Sequence, residues 1–275
     1  TITNPNAPPA TIAAMQVRSS DAEIFYEVLG SGPDLVLLHP FPAHNGVWKP
    51  VTEQLATRYR VILPDLRGHG NSGVGEGAAN MEKHVNDLLR VCADANVGSA
   101  IFAGESIGGY ILFEFWRRQR ERVRALALCN TKATADSDEA RRGRLQSAED
   151  VPKFGVEPFV NSMLPKLLGE TTRTNRPDVA AAARAMMMKI TPAGVAAVQR
   201  GMAERSDSVP TLRTINVPTL IITGDEDLIP LSEHELLQAH IPGATLRVIP
   251  KAGHYAVFER PEEAFRLLRQ FLDGL

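Results

Sequence analysis

Hydrophobic residues in this chain alternate between two rhythms. Short, near-continuous apolar runs recur at Asp34–Leu38, 60–63, 99–103, Val123–Cys129, 219–223 and Thr245–Ile249. Runs of this kind are expected of strands covered on both faces, as in a parallel sheet. Between them the period lengthens. Met81, Val85, Leu88, Leu89 and Cys92 share one face of a helix that ends before Gly98. Further helices are expected near 48–57, from Tyr110 to about Gln119, and after a capping box of Ser232 and Glu235. A last helix opens at Pro261, with Glu262 and Glu263 in its first turn. Two more strands, around 14–18 and 23–28, turn at Ser19-Ser20-Asp21, and Gly30-Ser31-Gly32-Pro33 ends the second. Residues 1–11, with Pro5, Pro8 and Pro9, read as an extended tail.

The alternation stops at 131–208, which shows helical patterns without a core strand and carries Pro152, Pro158, Pro165, Pro177 and Pro192. These prolines are expected to divide the segment into short helices. Strands alternating with helices predict a mostly parallel, doubly covered α/β sheet. The core would be formed by 1–130 and 209–275, with 131–208 inserted as a helical cap over the sheet's active edge.

Composition narrows the function classes. The chain has 275 residues, 44% of them hydrophobic, and a formal net charge of −2, so neither nucleic acid nor an anionic membrane is an expected partner. No apolar run approaches the roughly 20 residues that a membrane span needs, and a cytoplasmic protein is the expectation. Cys92 and Cys129 are expected as small buried side chains rather than halves of a bridge.

The chemistry centres on Gly104-Glu105-Ser106-Ile107-Gly108-Gly109, lying between the strand at 99–103 and the helix from Tyr110. A strand that turns directly into a helix strains the turning residue and brings the two backbones too close for a Cβ, hence the flanking glycines. The serine hydroxyl then stands clear at the top of the sheet. His254 directly follows the last strand, at the carboxyl edge where catalytic groups gather, and is the candidate base. His234 and His240 are expected to be solvated on a surface helix, and His84 is also helical; none of these spacings makes a metal ligand set. An imidazole that takes a proton needs a carboxylate beside it. The loop Gly224-Asp225-Glu226-Asp227 offers three acids, of which Asp227 is preferred over Asp225 because the chain turns back across the sheet there. After the first central strand comes His39-Pro40-Phe41-Pro42. Because proline lacks an N–H, Phe41 is the only donor in that turn, and Ile107 is the expected second donor of an oxyanion hole. Gly68-His69-Gly70-Asn71-Ser72-Gly73 matches a dinucleotide fingerprint, but Val74-Gly75-Glu76-Gly77 continues the loop where a helix would have to open.

With these motifs in hand, the chain resembles the α/β-hydrolase superfamily over nearly its whole length. The resemblance rests on the His39-Pro40-Phe41 turn, the loop from Asp65 to Ser72, the elbow at Ser106, the acid loop at Asp227 and Gly253-His254. The order Ser106, Asp227, His254 is that family's order. Pro40 stands where the family commonly has glycine. The overall look is similar to bacterial esterases and lactonases of the 3-oxoadipate enol-lactonase type, including those that open acyl-homoserine lactones. The resemblance implies a cofactor-free, metal-free serine hydrolase of small ester or lactone substrates. A C–C bond hydrolase, a perhydrolase or a non-catalytic ligand receptor would reuse the same scaffold. Trp48 near the oxyanion turn, and cap residues such as Met163 and Met187, are expected to give an apolar substrate wall. Arg141, Arg142 or Arg144 would supply a cationic site if the substrate proved charged.

Overall fold

The computed structural model describes residues 12–275, so the tail expected over 1–11 lies outside them. All the strands read from the apolar runs are present. They are β1 (Ala13–Ser19), β2 (Ala22–Leu29), β3 (Asp34–Leu38), β4 (Arg60–Pro64), β5 (Ala100–Glu105), β6 (Val123–Cys129), β7 (Thr219–Gly224) and β8 (Thr245–Ile249). They form one sheet in the order β1-β2-β4-β3-β5-β6-β7-β8. Only the β1–β2 and β2–β4 pairings are antiparallel. The centre is set by β3, whose Leu35 and Val36 face Val61 and Ile62 on one side and Ile101 and Phe102 on the other. Every residue of β5 and β7 is buried, as apolar runs without polar alternation require.

The helices are α1 (Lys49–Leu55), α2 (Met81–Asp94), α3 (Ile107–Gln119), α4 (Asp138–Phe154), α5 (Val156–Leu167), α6 (Glu170–Asn175), α7 (Pro177–Met187), α8 (Pro192–Ala203), α9 (Val209–Leu212), α10 (Leu231–His240), α11 (Ala256–Glu259) and α12 (Pro261–Leu272). They pack as two groups, α2 with α3, α9 and α10, and α1 with α12 and α11, which cover the two faces of the sheet. Cys92 and Cys129 are free and buried in this core.

Helices α4 to α8, here called the cap, lie between β6 and β7, with α4 packed along α8. The prolines do not cut them as short as the sequence suggests. Pro152 and Pro165 fall within the last turns of α4 and α5, and α4 runs for 17 residues. Pro177 and Pro192 open α7 and α8, where a missing N–H costs nothing. The expected capping box at Ser232 and Glu235 does not form. Helix α10 starts earlier, from Pro230 and without a side-chain cap, so Ser232 already lies inside its first turn.

Candidate active site

The turn from β5 into α3 is a single residue. Ser106 has φ 54° and ψ −113°, a conformation that side chains avoid unless their surroundings impose it. Those surroundings are visible: Ser106 N donates to Cys129 O at 2.9 Å, and the Thr131 hydroxyl donates to Ser106 O at 2.8 Å. A Cβ on Gly104 would lie 2.5 Å from the Gly108 carbonyl carbon, and one on Gly108 would lie 2.6 Å from Leu38 O. Only glycine lets strand and helix approach so closely.

The loop after β8 brings His254 over the serine, with Nε2 2.8 Å from Ser106 Oγ. Its Nδ1 lies 2.7 Å from Asp227 Oδ1. The three acids of the loop after β7 divide their work. Asp225 accepts the amides of Lys251 at 2.6 Å and Ala252 at 3.4 Å, which shapes the turn leading to His254. Glu226 accepts the Thr171 amide at 2.8 Å and so ties this loop to α6. Asp227 alone reaches the imidazole. It also accepts Asn130 Nδ2 at 2.7 Å and the Ile229 amide at 3.1 Å. Burial pushes the Asp227 carboxyl up, but His254 and these donors outweigh it and hold it below the usual range. An ionised Asp227 makes Nδ1 the donor and leaves Nε2 free to accept the serine proton.

His234, expected in solvent, is buried with Nε2 4.0 Å from Asp227 Oδ2. Helix α10 turns this face onto β7 and α9. Burial lowers the His234 pKa, so the pair is a neutral ring beside a carboxylate. His84 is likewise buried, on α2, and His240 turns Nδ1 towards Leu236 O.

The turn after β3 is held from two sides. His39 accepts the Leu66 amide on Nε2 at 2.8 Å, so its Nδ1 carries the proton and donates to Pro40 O at 3.0 Å. Tyr255, next to His254, donates to Phe41 O at 3.2 Å. Among the described residues, neither the Phe41 nor the Ile107 amide donates to a protein acceptor, and both flank Ser106 in the fold. The glycine-rich loop after β4 opens no helix. It wraps the Asp65 carboxylate, which accepts the Asn45 and Asn71 amides at 2.9 Å each. The loop braces the turn after β3 and offers no helix N-terminus to a phosphate.

Ser106, His254 and Phe41 open into a cavity of about 250 Å³. Met163, Leu167 and Ile229 form an apolar wall. Trp48 and Met187 do not line it. Both are fully buried in the core, where α7 packs on the short turn Asn45–Trp48, and that seam absorbs the apolar surface expected to face substrate. The lining also carries charge, with Lys132, Asp136, Arg144 and Glu233. Arg141 and Arg142 are exposed. Roomier clefts near α12 bring together no nucleophile and base.

The cap is bolted to the histidine loop. His254 N donates to Leu167 O at 2.8 Å, and the buried Glu259 accepts both Gly169 N and Gly253 N at 3.0 Å.

A family model for the alpha/beta hydrolase fold matches residues 33–261. The chain belongs to the α/β-hydrolase fold family. This hydrolase is 37% identical to a thermophilic esterase from Thermogutta terrifontis whose structure has malate bound. The match covers 95% of this chain and 98% of that one, with a TM-score of 0.92. The enol-lactonase from Burkholderia xenovorans is 25% identical, with a TM-score of 0.88 and coverage of 94% and 100%. A pimeloyl-[acyl-carrier protein] methyl ester esterase from Nitrosomonas europaea is 29% identical over 88% of this chain and 96% of its own length. The fold and the esterase and lactonase kinship implied by the sequence motifs thus hold. Among the described residues no helix of this α/β hydrolase is long and apolar enough to cross a membrane.

Proposed function

We propose that this hydrolase cleaves carboxylic esters or lactones through an acyl-enzyme on Ser106. The observation that carries the reading is the unbroken relay from Ser106 Oγ to His254 at 2.8 Å and from His254 to Asp227 at 2.7 Å, opening on a cavity. His254 Nε2 takes the hydroxyl proton as Ser106 Oγ attacks the substrate carbonyl carbon, whose π electrons move onto its oxygen. The Phe41 and Ile107 amides receive that oxyanion; two such donors in a preorganised site lower the barrier by several kcal/mol. Asp227 stabilises the imidazolium, which then gives its proton to the leaving alkoxide as the carbon–oxygen bond breaks. Water repeats the sequence, with His254 taking its proton and returning one to Ser106 Oγ as the acid leaves. Every group in this route is the chain's own or comes from water. The esterase and lactonase activities named for its relatives support the same reading.

The test is a short-chain 4-nitrophenyl ester with wild type and Ser106→Ala, together with mass spectrometry after an alkyl phosphonate probe. Ser106→Ala is expected to lose about 10³-fold or more in kcat while melting normally, and the probe to label Ser106. Undiminished turnover in Ser106→Ala overturns the assignment.

A further inference from the structure

The charged wall of the cavity names a substrate class, an inference that rests on the hydrolase reading above. Strand β6 delivers three successive residues to the sheet's carboxyl edge. Asn130 holds Asp227, Thr131 holds the Ser106 carbonyl, and Lys132 reaches the cavity. The Lys132 ammonium makes no hydrogen bond with any described residue. Its nearest acid, Asp136 Oδ1, is 3.7 Å away, and its side chain is 21% exposed. Asp136 does not depend on that lysine, because Arg144 meets it at 2.5 Å and Arg205 at 3.4 Å. Glu233, the other acid on this wall, already accepts the Thr134 hydroxyl at 2.8 Å. Of the charged residues lining the cavity, Arg144 is taken up by Asp136 and Glu233 by Thr134, which leaves Lys132 as the lining cation with open hydrogen-bonding capacity beside Ser106. Arg205 sits behind the wall, stacked over the Tyr110 ring at 4.0 Å, so the ammonium that reaches the cavity is the lysine's.

We propose that Lys132, backed by Arg144, binds a carboxylate of the substrate. The substrate class is then an ester or lactone that carries a free carboxylate a short chain away from the scissile carbonyl. The apolar wall of Met163, Leu167 and Ile229 takes the methylenes between the two groups, and the small cavity limits their number. A charge-assisted hydrogen bond is about twice as strong as a neutral one, and a neutral acyl chain would leave the Lys132 ammonium with only its 3.7 Å ion pair to Asp136. The apolar substrate wall expected from the sequence is then only part of the pocket, and the cationic part comes from Lys132 and Arg144.

The experiment compares monomethyl glutarate with methyl hexanoate by methanol release, in wild type, Lys132→Met and Lys132→Arg. In parallel, glutarate and its neutral diamide are titrated calorimetrically into the same proteins. Wild type is expected to favour monomethyl glutarate tenfold or more in kcat/KM. Lys132→Met is expected to erase at least tenfold of that ratio and of glutarate affinity, and Lys132→Arg to recover part of both. The diamide is expected not to bind. A wild type that prefers methyl hexanoate, or a Lys132→Met protein that melts like wild type and keeps the preference, overturns the carboxylate site. Glutarate binding that depends on Lys132, with neither ester cleaved, upholds the site and counts against the esterase reading instead.

Discussion

Replacing Asp227 by asparagine keeps the shape of the relay and removes its charge. The hydrogen bonds around the carboxylate determine the consequence. Both oxygens now face donors, Oδ1 receiving His254 Nδ1 and the Ile229 amide, and Oδ2 receiving Asn130 Nδ2. An amide offers one acceptor and one donor end, so Asp227→Asn must point its NH₂ at Asn130 or at His254. The second orientation forces Nδ1 to accept, puts the proton on Nε2 and disables the base. The first orientation brings two NH₂ groups together and leaves the imidazolium without its counter-charge. A unit charge 2.7 Å away contributes about 6 kcal/mol at an effective dielectric constant near 20. At about 1.4 kcal/mol per factor of ten, we expect kcat/KM to fall by about 10⁴-fold, with KM little altered. Adding Asn130→Asp gives the displaced NH₂ an acceptor and returns a carboxylate to the network. The double variant is therefore expected to recover about tenfold or more over Asp227→Asn, although Asn130→Asp alone is harmful because it sets two carboxylates together. The assay is kcat/KM for a short-chain ester from pH 6 to 9, with melting curves for each variant. Activity of Asp227→Asn within tenfold of wild type would refute the role given to Asp227, and a double variant no better than the single would refute the donor-clash reasoning.

Three further outcomes are expected from the packing. Glu105 is buried beside Ser106, and burial pushes its pKa well above the ordinary carboxyl value. The folded state therefore holds a proton that the unfolded chain has lost, and stability falls as pH rises from about 4.5 towards the folded-state pKa. Glu105→Gln is expected to flatten that fall, worth up to about 1.4 kcal/mol per pH unit, in urea melts from pH 5 to 8; parallel curves for the two proteins would contradict it. The buried Arg67 pairs with Asp87 through bonds of 2.6 and 2.7 Å. Asp87→Leu is expected to cost about 3–5 kcal/mol and the double variant Arg67→Met/Asp87→Leu less, which a double-mutant cycle measures. Gly108→Ala drives a Cβ to within 2.6 Å of Leu38 O, so a loss of about 1–3 kcal/mol is expected in melting, together with lower turnover.

The strands were legible because each buried strand is an uninterrupted apolar run, a property of the residues themselves. Ser106, His254 and Asp227 could be picked out from the sequence because each follows closely on such a run. Asn130, Thr131 and Lys132 also come after one, but a polar residue after a strand has no distinguishing pattern, and what each touches depends on β5 and on the loops after β7 and β8. Trp48 and Met187 were misread for a related reason. Large apolar side chains near a site can face the ligand or the neighbouring helix, and only the packing of α7 on the Asn45–Trp48 turn decides. The burial of His234 was hidden because α10 is weakly patterned and does not announce which face turns inward.

The bonds between the cap and the histidine loop set a limit on recombination. A cap exchanged from a relative as a cassette would bring its own pocket walls, and between 138 and 165 the host would lose pocket lining, the Arg144–Asp136 pair and the packing of Phe159 on Phe41. A seam cut across 167–171 is different. It would remove the carbonyl that receives His254 N, the glycine amide held by Glu259 and the threonine clasped by Glu226. Chimeras joined there would inherit a misplaced His254 along with new pocket walls, so crossovers belong on the α4 side of Leu167, with the short hinge beyond it kept from the parent that supplies the histidine.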